Sequence, residues 1–221
     1  GGVASMRGSG GYANNDEYTS IENVIGSSGN DIFYASADTA AAANRFDGGG
    51  GTHNRVSYEA ATADLTVNLI TNAGSGGALG DTYANIQDVT GGAGNDTFVA
   101  NSSVNFFDGG GGTHNRVNYA SDTTALIINL SDKTASGVAA GIGSGGNAAG
   151  DTYTNIQDAT GGSGNDTFIA SSAENRFDGG AGSDTVSYAS SDAPVIVNLS
   201  AVTLGGVASM RGSGGYANND E

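Results

Sequence analysis

The sequence predicts an all-β chain wound as a right-handed parallel β-roll, a β-solenoid built from nonapeptides of the G-G-x-G-x-D-x-U-x type, with U a large apolar residue. Three observations lead there. The chain holds 39 Gly in 221 residues, more than twice the usual ~7%. It repeats itself in three blocks. Within each block the glycine turns recur at multiples of nine. A single Pro and no continuous G-X-Y triplet exclude collagen. Glycine every few residues, with no sustained 3.6-residue period, excludes a helical array.

The blocks align from end to end. Residues 1–15 read as the end of a preceding repeat, 16–80, 81–150 and 151–219 as three blocks, and 220–221 as the start of another unit. Each block opens on DEYTSIENV (16–24), DTYANIQDV (81–89) or DTYTNIQDA (151–159). A glycine turn and strand follow: GSSGNDIFYA (26–35), GGAGNDTFVA (91–100) and GGSGNDTFIA (161–170). FDGG comes next, at Phe46, Phe107 and Phe177, and LTVNL, LIINL or VIVNL closes the block. Residues 205–221 repeat residues 1–17 letter for letter, a higher-order period of 204 residues. The expectation is a slice of a longer array of near-identical units.

The nonapeptide has a local physical basis. Gly161–Ile169 and Gly91–Val99 fit the pattern at every defined position, with Phe168 and Phe98 at U, and Gly179–Ser187 fits with Val186 there. Six residues make a turn in which glycine permits φ > 0 and close stacking. The last three make a short strand whose middle residue points inward. Phe168, Phe177 and Val186 are therefore expected inside, as are Phe98 with Phe107 and Phe33 with Phe46. Two nonapeptides make one coil, and coils stack as parallel strands ~4.8 Å apart.

Composition narrows the function. The formal net charge is −16, which disfavours nucleic acid and favours cations. The absence of Cys excludes disulfides, Cys-ligated zinc and Fe–S clusters. No run of ~18 apolar residues exists to span a membrane. Aromatics make up 7% with no Trp, so a sparse core needs help from another source of cohesion.

The turns GGAGND (91–96) and GGSGND (161–166), with FDGGAGSDTVSYASSDAPVIVNL (177–199), resemble the repeats-in-toxin (RTX) family of secreted bacterial proteins. The block order resembles the long variant found in large surface proteins and adhesins. The resemblance implies β-rolls that fold on several Ca²⁺ ions, type I secretion, and an extracellular or cell-surface home.

Calcium takes six to eight hard oxygens from carboxylates and carbonyls, and piled glycine turns offer both. Carrying the motif over gives carboxylates from Asp166 and Asp184, with carbonyls from Gly161, Ser163, Gly179 and Ala181. Asp96, with Gly91 and Ala93, and Asp31 hold the equivalent places, although Ser27 replaces a glycine. Asp81 and Asp151, like Asp16, fall at the end of the preceding same-side nonapeptide. The alternative is that these Asp residues only hydrogen-bond their own backbone.

Blocks one and two depart from the pattern. They read GGGGTHNRV at 48–56 and 109–117 where block three has GGAGSDTV. These turns are expected to lack an ion, with Arg55 and Arg116 supplying charge by pairing with a neighbouring Asp. A transition metal on His53 and His114 is the lesser alternative. Leu130–Ile142 and Ser200–Arg211 break the phase and read as outward loops or extra coils, and residues 38–43 as a surface bulge. Tyr58, Tyr119 and Tyr188 recur at one position, and Tyr18, Tyr83 and Tyr153 at another. They pack in the wall or form a surface ladder.

The functional expectation is a calcium-binding structural segment of an extracellular bacterial surface protein, such as an adhesin, surface layer or filament. Its partners are further copies of the same repeat, in tandem or end to end, with cell-surface polysaccharide a further possibility. The alternative is a glycan- or ice-binding module. Catalysis is not expected: Lys133 is the only Lys, the two His lie in copied turns, and no acid–base cluster can be assembled.

Overall fold

The computed structural model describes residues 6–35, 43–200, 202–203, 211–213, 215–217 and 220. The expected bulge at 38–43 lies outside them except for Ala43, as does most of 200–211. The described residues form 22 short strands. They are β1 (Met6–Arg7), β2 (Glu17–Tyr18), β3 (Asn23–Ile25), β4 (Ile32–Tyr34), β5 (Arg45–Asp47), β6 (Arg55–Ser57), β7 (Leu65–Asn68) and β8 (Ala73–Gly76). Next come β9 (Thr82–Ala84), β10 (Asp88–Thr90), β11 (Thr97–Val99), β12 (Phe106–Asp108), β13 (Arg116–Asn118), β14 (Ile127–Asn129) and β15 (Gly143–Ser144). The last are β16 (Thr152–Thr154), β17 (Asp158–Thr160), β18 (Thr167–Ile169), β19 (Phe177–Asp178), β20 (Thr185–Ser187), β21 (Ile196–Asn198) and β22 (Arg211–Ser213).

The three-residue strand follows from the nonapeptide, which leaves three positions after a six-residue turn. In β11, β12 and β13 only the middle residue is fully buried, as alternation across a strand requires. The chain zigzags between two walls. One wall runs β19-β17-β13-β11-β7-β8-β9-β5-β3. The other runs β16-β12-β10-β6-β4, and a bridge between Thr152 and Ile142 carries it on towards β15-β14-β18-β20. Apart from the pairings of β8 and β15, every ladder in these sheets is parallel. The fold is thus a parallel β-roll.

Between the walls the inward residues form one core. Val56, Val67, Val89, Val117, Phe98 and Phe107 are fully buried. Aromatic rings meet across the gap: Phe98 and Phe107 lie 5.5 Å apart, Phe168 and Phe177 5.2 Å, and Phe33 and Phe46 5.8 Å. The expected inward set is therefore inside, except that Phe177 is only partly buried against the core and Val186 of β20 is partly exposed.

The phase-breaking segment 130–142 is a loop of turns and bends with a bridge between Ala135 and Val138, and not an extra coil. It leads the chain back as an antiparallel strand, with β15 pairing with β14. β8 does the same between β7 and β9, and β22 pairs antiparallel with β21. The Asn of each closing N-L motif folds the return. Asn129 Nδ2 donates to the carbonyls of Lys133, Val138 and Ala139 at 2.9–3.1 Å, and Asn68 Oδ1 accepts from the N–H groups of Ile70 and Thr71. These side chains satisfy backbone groups that would otherwise be orphaned in a tight loop.

Candidate metal centre

The glycine turns pile on one another as their strands do. Turn 161–166 lies between residues 122–125 and turn 179–184. A Cβ on Gly162 would run into the Asp122 carbonyl, and one on Gly180 into the Gly162 carbonyl. Turn 91–96 lies in the same way between 61–64 and 109–115, and turn 26–31 against 48–54. Only glycine allows this approach. Gly110 and Gly180 also have φ of 72° and 83°, where L-residues are strained.

The sixth residue of each turn ties the pile together. Asp166 Oδ2 accepts from Gly162 N–H at 2.8 Å, and Oδ1 from Leu126 N–H at 2.9 Å in the turn below. Asp96 repeats this with Gly92 at 2.7 Å and Leu65 at 3.0 Å. Asp31 Oδ2 accepts from the Ser27 N–H at 2.6 Å, and the Ser27 hydroxyl reaches both oxygens. Self-capping by these Asp residues is therefore real. Asp96 and Asp166 are both buried. Burial pushes the Asp96 carboxyl up to about 6, against the opposing N–H groups of Gly92 and Leu65 and with a contribution from the nearby Asp64 charge.

Asp184 meets Asp166 in the next turn, its Oδ1 accepting the Asp166 N–H at 2.9 Å. A Cβ on Gly161 would stand against Asp166 Oδ2 and 2.7 Å from the Gly179 carbonyl oxygen. The structure thus gathers Gly161, Gly179, Asp166 and Asp184. In block two it likewise gathers Gly91, Asp96 and the Gly109 carbonyl. Ser163 and Ala93 lie against the turns below, through N–H bonds to the carbonyls of Asp122 and Ala61, and Ala181 N–H reaches the Gly162 carbonyl. Among the described residues no three His, Cys, Asp or Glu side chains converge, so an ion here would rest mainly on carbonyls. The hard-oxygen set of two Asp carboxylates and glycine carbonyls fits Ca²⁺.

Asp81 and Asp151 lie elsewhere. Asp151 Oδ2 accepts the Tyr119 hydroxyl at 2.6 Å, Oδ1 accepts Asn105 N–H at 2.8 Å, and Tyr119 and Tyr153 hydroxyls are 2.7 Å apart. Asp81 makes the same network with Tyr58, Asn44 and Tyr83. Both tyrosine pairs are buried, so they are wall packing and not a surface ladder. Burial pushes Asp151 up to about 7 and raises Asp81 as well.

The departing turns show what the sequence missed. Asn54 and Asn115 occupy the place of Asp184: their Oδ1 atoms accept the N–H groups of Asp31 and Asp96 at 2.9 Å. Asn115 Nδ2 then donates to the carbonyls of Gly111 at 2.5 Å and Asn155 at 2.9 Å, and Asn54 Nδ2 to those of Gly50 and Asn85. An amide N–H₂ thus gathers carbonyls that Asp184 could gather only through a cation. Arg116 lies 3.5 Å from Asp158 and Arg55 3.9 Å from Asp88. His114 and His53 each reach one oxygen of the same Asp, at 3.3 and 3.2 Å. Asn30, Asn95 and Asn165 are a further overlooked set. Their Oδ1 atoms accept N–H bonds from Thr52, Thr113 and Ser183 of the next turn at 2.9 Å. The recurring G-N-D triplet was the signal.

A family model described as RTX calcium-binding nonapeptide repeat (4 copies) matches residues 85–113 and 159–190. These segments hold turns 91–96 and 161–166, turn 179–184, and the glycines of turn 109–115. No curated protein matches the chain. RTX repeats occur in secreted bacterial proteins. Among the described residues no helix is long and apolar enough to cross a membrane. Residues 85–113 and 159–190 are RTX calcium-binding nonapeptide repeats, which imply Ca²⁺ binding at several sites, and the chain that carries them folds as a parallel β-roll.

Proposed function

We propose that this chain is a calcium-stiffened structural segment of an extracellular bacterial surface protein, part of a longer array of the same repeat, and that it folds on binding Ca²⁺. The observation that carries this is the pile of turn 161–166 on turn 179–184. There Asp166 and Asp184 sit one turn apart beside glycine carbonyls, with no basic side chain in either turn. Carboxylates stacked this closely repel one another when partly dry. A divalent ion reverses the sign, and because it binds only the folded pile its binding energy adds to folding. Calcium is scarce inside cells and plentiful outside, so folding would follow export. The net charge of −16 adds self-repulsion that weakens the metal-free roll, most of all at its carboxylate-closed end.

Circular dichroism during a calcium titration tests this. The expected result is a chain only partly ordered in chelator, its carboxylate-closed end loose, that gains further β-structure cooperatively in millimolar calcium, with magnesium a poor substitute. An identical, cooperatively melting spectrum in chelator would overturn it.

A further inference from the structure

Strand β20 lies along β18, with Val186 opposite Phe168, and its two ends are held by different means. The chain enters it from turn 179–184, where Asp184 faces Asp166 and the Gly179 carbonyl lies beside them. The chain leaves it through residues 188–192. What holds that exit comes from the return loop of the block before. Three return loops follow an Asn-Leu pair, after Asn68, Asn129 and Asn198. Their next residues are Ile70-Thr71-Asn72, Ser131-Asp132-Lys133 and Ser200-Ala201-Val202. Only the middle loop opens on charged side chains, and Lys133 is the only Lys in the sequence.

The loop fixes Lys133 at its base. Asn129 Nδ2 donates to the Lys133 carbonyl at 2.9 Å, and the Lys133 N–H donates to Ser131 Oγ at 3.3 Å. The ammonium then donates to the Ser190 carbonyl at 2.9 Å and to Asp192 Oδ2 at 2.5 Å. The Ser131 and Ser190 hydroxyls, both buried, meet at 3.2 Å. Tyr216 closes the circuit. Its hydroxyl donates to Asp132 Oδ1 at 2.9 Å, its N–H donates to Ser191 Oγ at 3.3 Å, and the Lys133 ammonium lies 5.7 Å from its ring centroid. Leu130 N–H bonds the Ile169 carbonyl, and Ala170 N–H the Ser187 carbonyl. The strap therefore starts at β14, crosses β18 and ends just past β20.

We infer that Lys133 is a tethered cation that raises the calcium affinity of turn pair 161–166/179–184, a positioning residue that touches no ion itself. Its ammonium takes one backbone carbonyl and one carboxylate, the donor types that the turn pair offers to an ion. The two cations hold opposite ends of one three-residue strand. With 188–192 fixed, β20 has less room to open, so Asp184 stays beside Asp166 before the ion arrives. Less of the ion's binding free energy then goes into ordering the strand, which is positive coupling between the two clips. Asp192 is exposed and Lys133 partly so, so salt screens the Lys133 clip and its share is modest. The inference rests on reading the turn pair as a calcium site.

Hydrogen exchange through a calcium titration tests this at Thr185, whose N–H donates to the Asp166 carbonyl. Lys133→Met keeps most of the stem and loses the charge. It should raise the calcium midpoint of Thr185 protection about three- to ten-fold and leave exchange at Arg116, in the amide-closed pile, as it was. Lys133→Arg keeps the charge and should stay close to the wild type. Coupling is reciprocal, so the unaltered protein gives a second readout: acetylation of Lys133 by acetic anhydride, followed by peptide mass, should slow when calcium is added. An unmoved Thr185 midpoint in Lys133→Met, an equal change at Arg116, a Lys133→Arg protein that behaves as the Met variant, or acetylation indifferent to calcium would each overturn the inference. A wild-type Thr185 indifferent to calcium would instead sink the calcium reading of the turn pair, and this inference with it.

Discussion

Turn pairs 91–96/109–115 and 161–166/179–184 share one backbone plan and close it by different chemistry. In the first, Asn115 accepts one N–H with its oxygen and donates to two carbonyls with its nitrogen. In the second, Asp184 accepts the matching N–H but carries a second oxygen in place of the N–H₂ group. Each N–H···O=C bond contributes about 1 kcal/mol net. A carboxylate oxygen beside a carbonyl repels unless a cation lies between. An amide in place of a carboxylate, together with one extra residue in the turn, therefore separates a turn that closes by itself from a turn that waits for calcium. A roll holding both kinds has a calcium-indifferent part and a calcium-gated end.

The largest expected effect breaks the amide closure. Asn115→Ala leaves the buried Asp96 N–H without its partner and removes the part-buried bonds to the Gly111 and Asn155 carbonyls, and should cost about 3–5 kcal/mol in denaturant unfolding. The cost should be the same with and without calcium. Exchanging the two closures is next. Asn115→Asp should lose about 2–3 kcal/mol in chelator and regain most of it in calcium, with one additional ion counted by titration calorimetry. Asp184→Asn should bind one ion fewer and lose nothing in chelator. An unchanged ion count in both variants would dissolve the contrast.

A smaller effect is read against pH, away from the turns. Burial holds the Asp151 carboxyl near 7, above the ~4 of an unfolded chain. A raised carboxyl binds its proton more tightly when folded, so the folded state is favoured at low pH and loses that advantage as pH climbs from about 4 to 7. At saturating calcium the wild-type thermal midpoint should fall by a few degrees between pH 5 and pH 8, at about 2–4 °C per kcal/mol. Asp151→Asn, which keeps an acceptor for the Asn105 N–H, should flatten that slope. Proton competition at the turn carboxylates has the opposite sign and is common to both proteins, so their difference isolates Asp151.

Much of the roll was legible because the nonapeptide is local: a glycine turn, a three-residue strand, and one inward residue at Phe98, Phe107 or Phe168. The antiparallel strands were not. Gly143–Ser144 has no strand propensity and pairs only because β14 offers it an open edge. Asp81 and Asp151 were assigned to the turns by counting in nines, yet the D-x-Y alternation puts Asp81 with Tyr83, and Asp151 with Tyr153, on one inward face of a strand. Asn54 and Asn115 read as a lost carboxylate. What their N–H₂ groups gained became visible only when the Asn85 and Asn155 carbonyls, some 30 and 40 residues away in sequence, stood beside them.

Hydrogen exchange of backbone amides with and without calcium tests the central contrast most directly, since protection reports local opening free energy. The account predicts that calcium slows exchange at Gly162, Asp166 and Thr185, whose N–H groups are bonded within the carboxylate pile. The effect should be much greater there than at Asp96 and Arg116 in the amide-closed pile. Equal calcium protection in the two piles, or none in either, would contradict it.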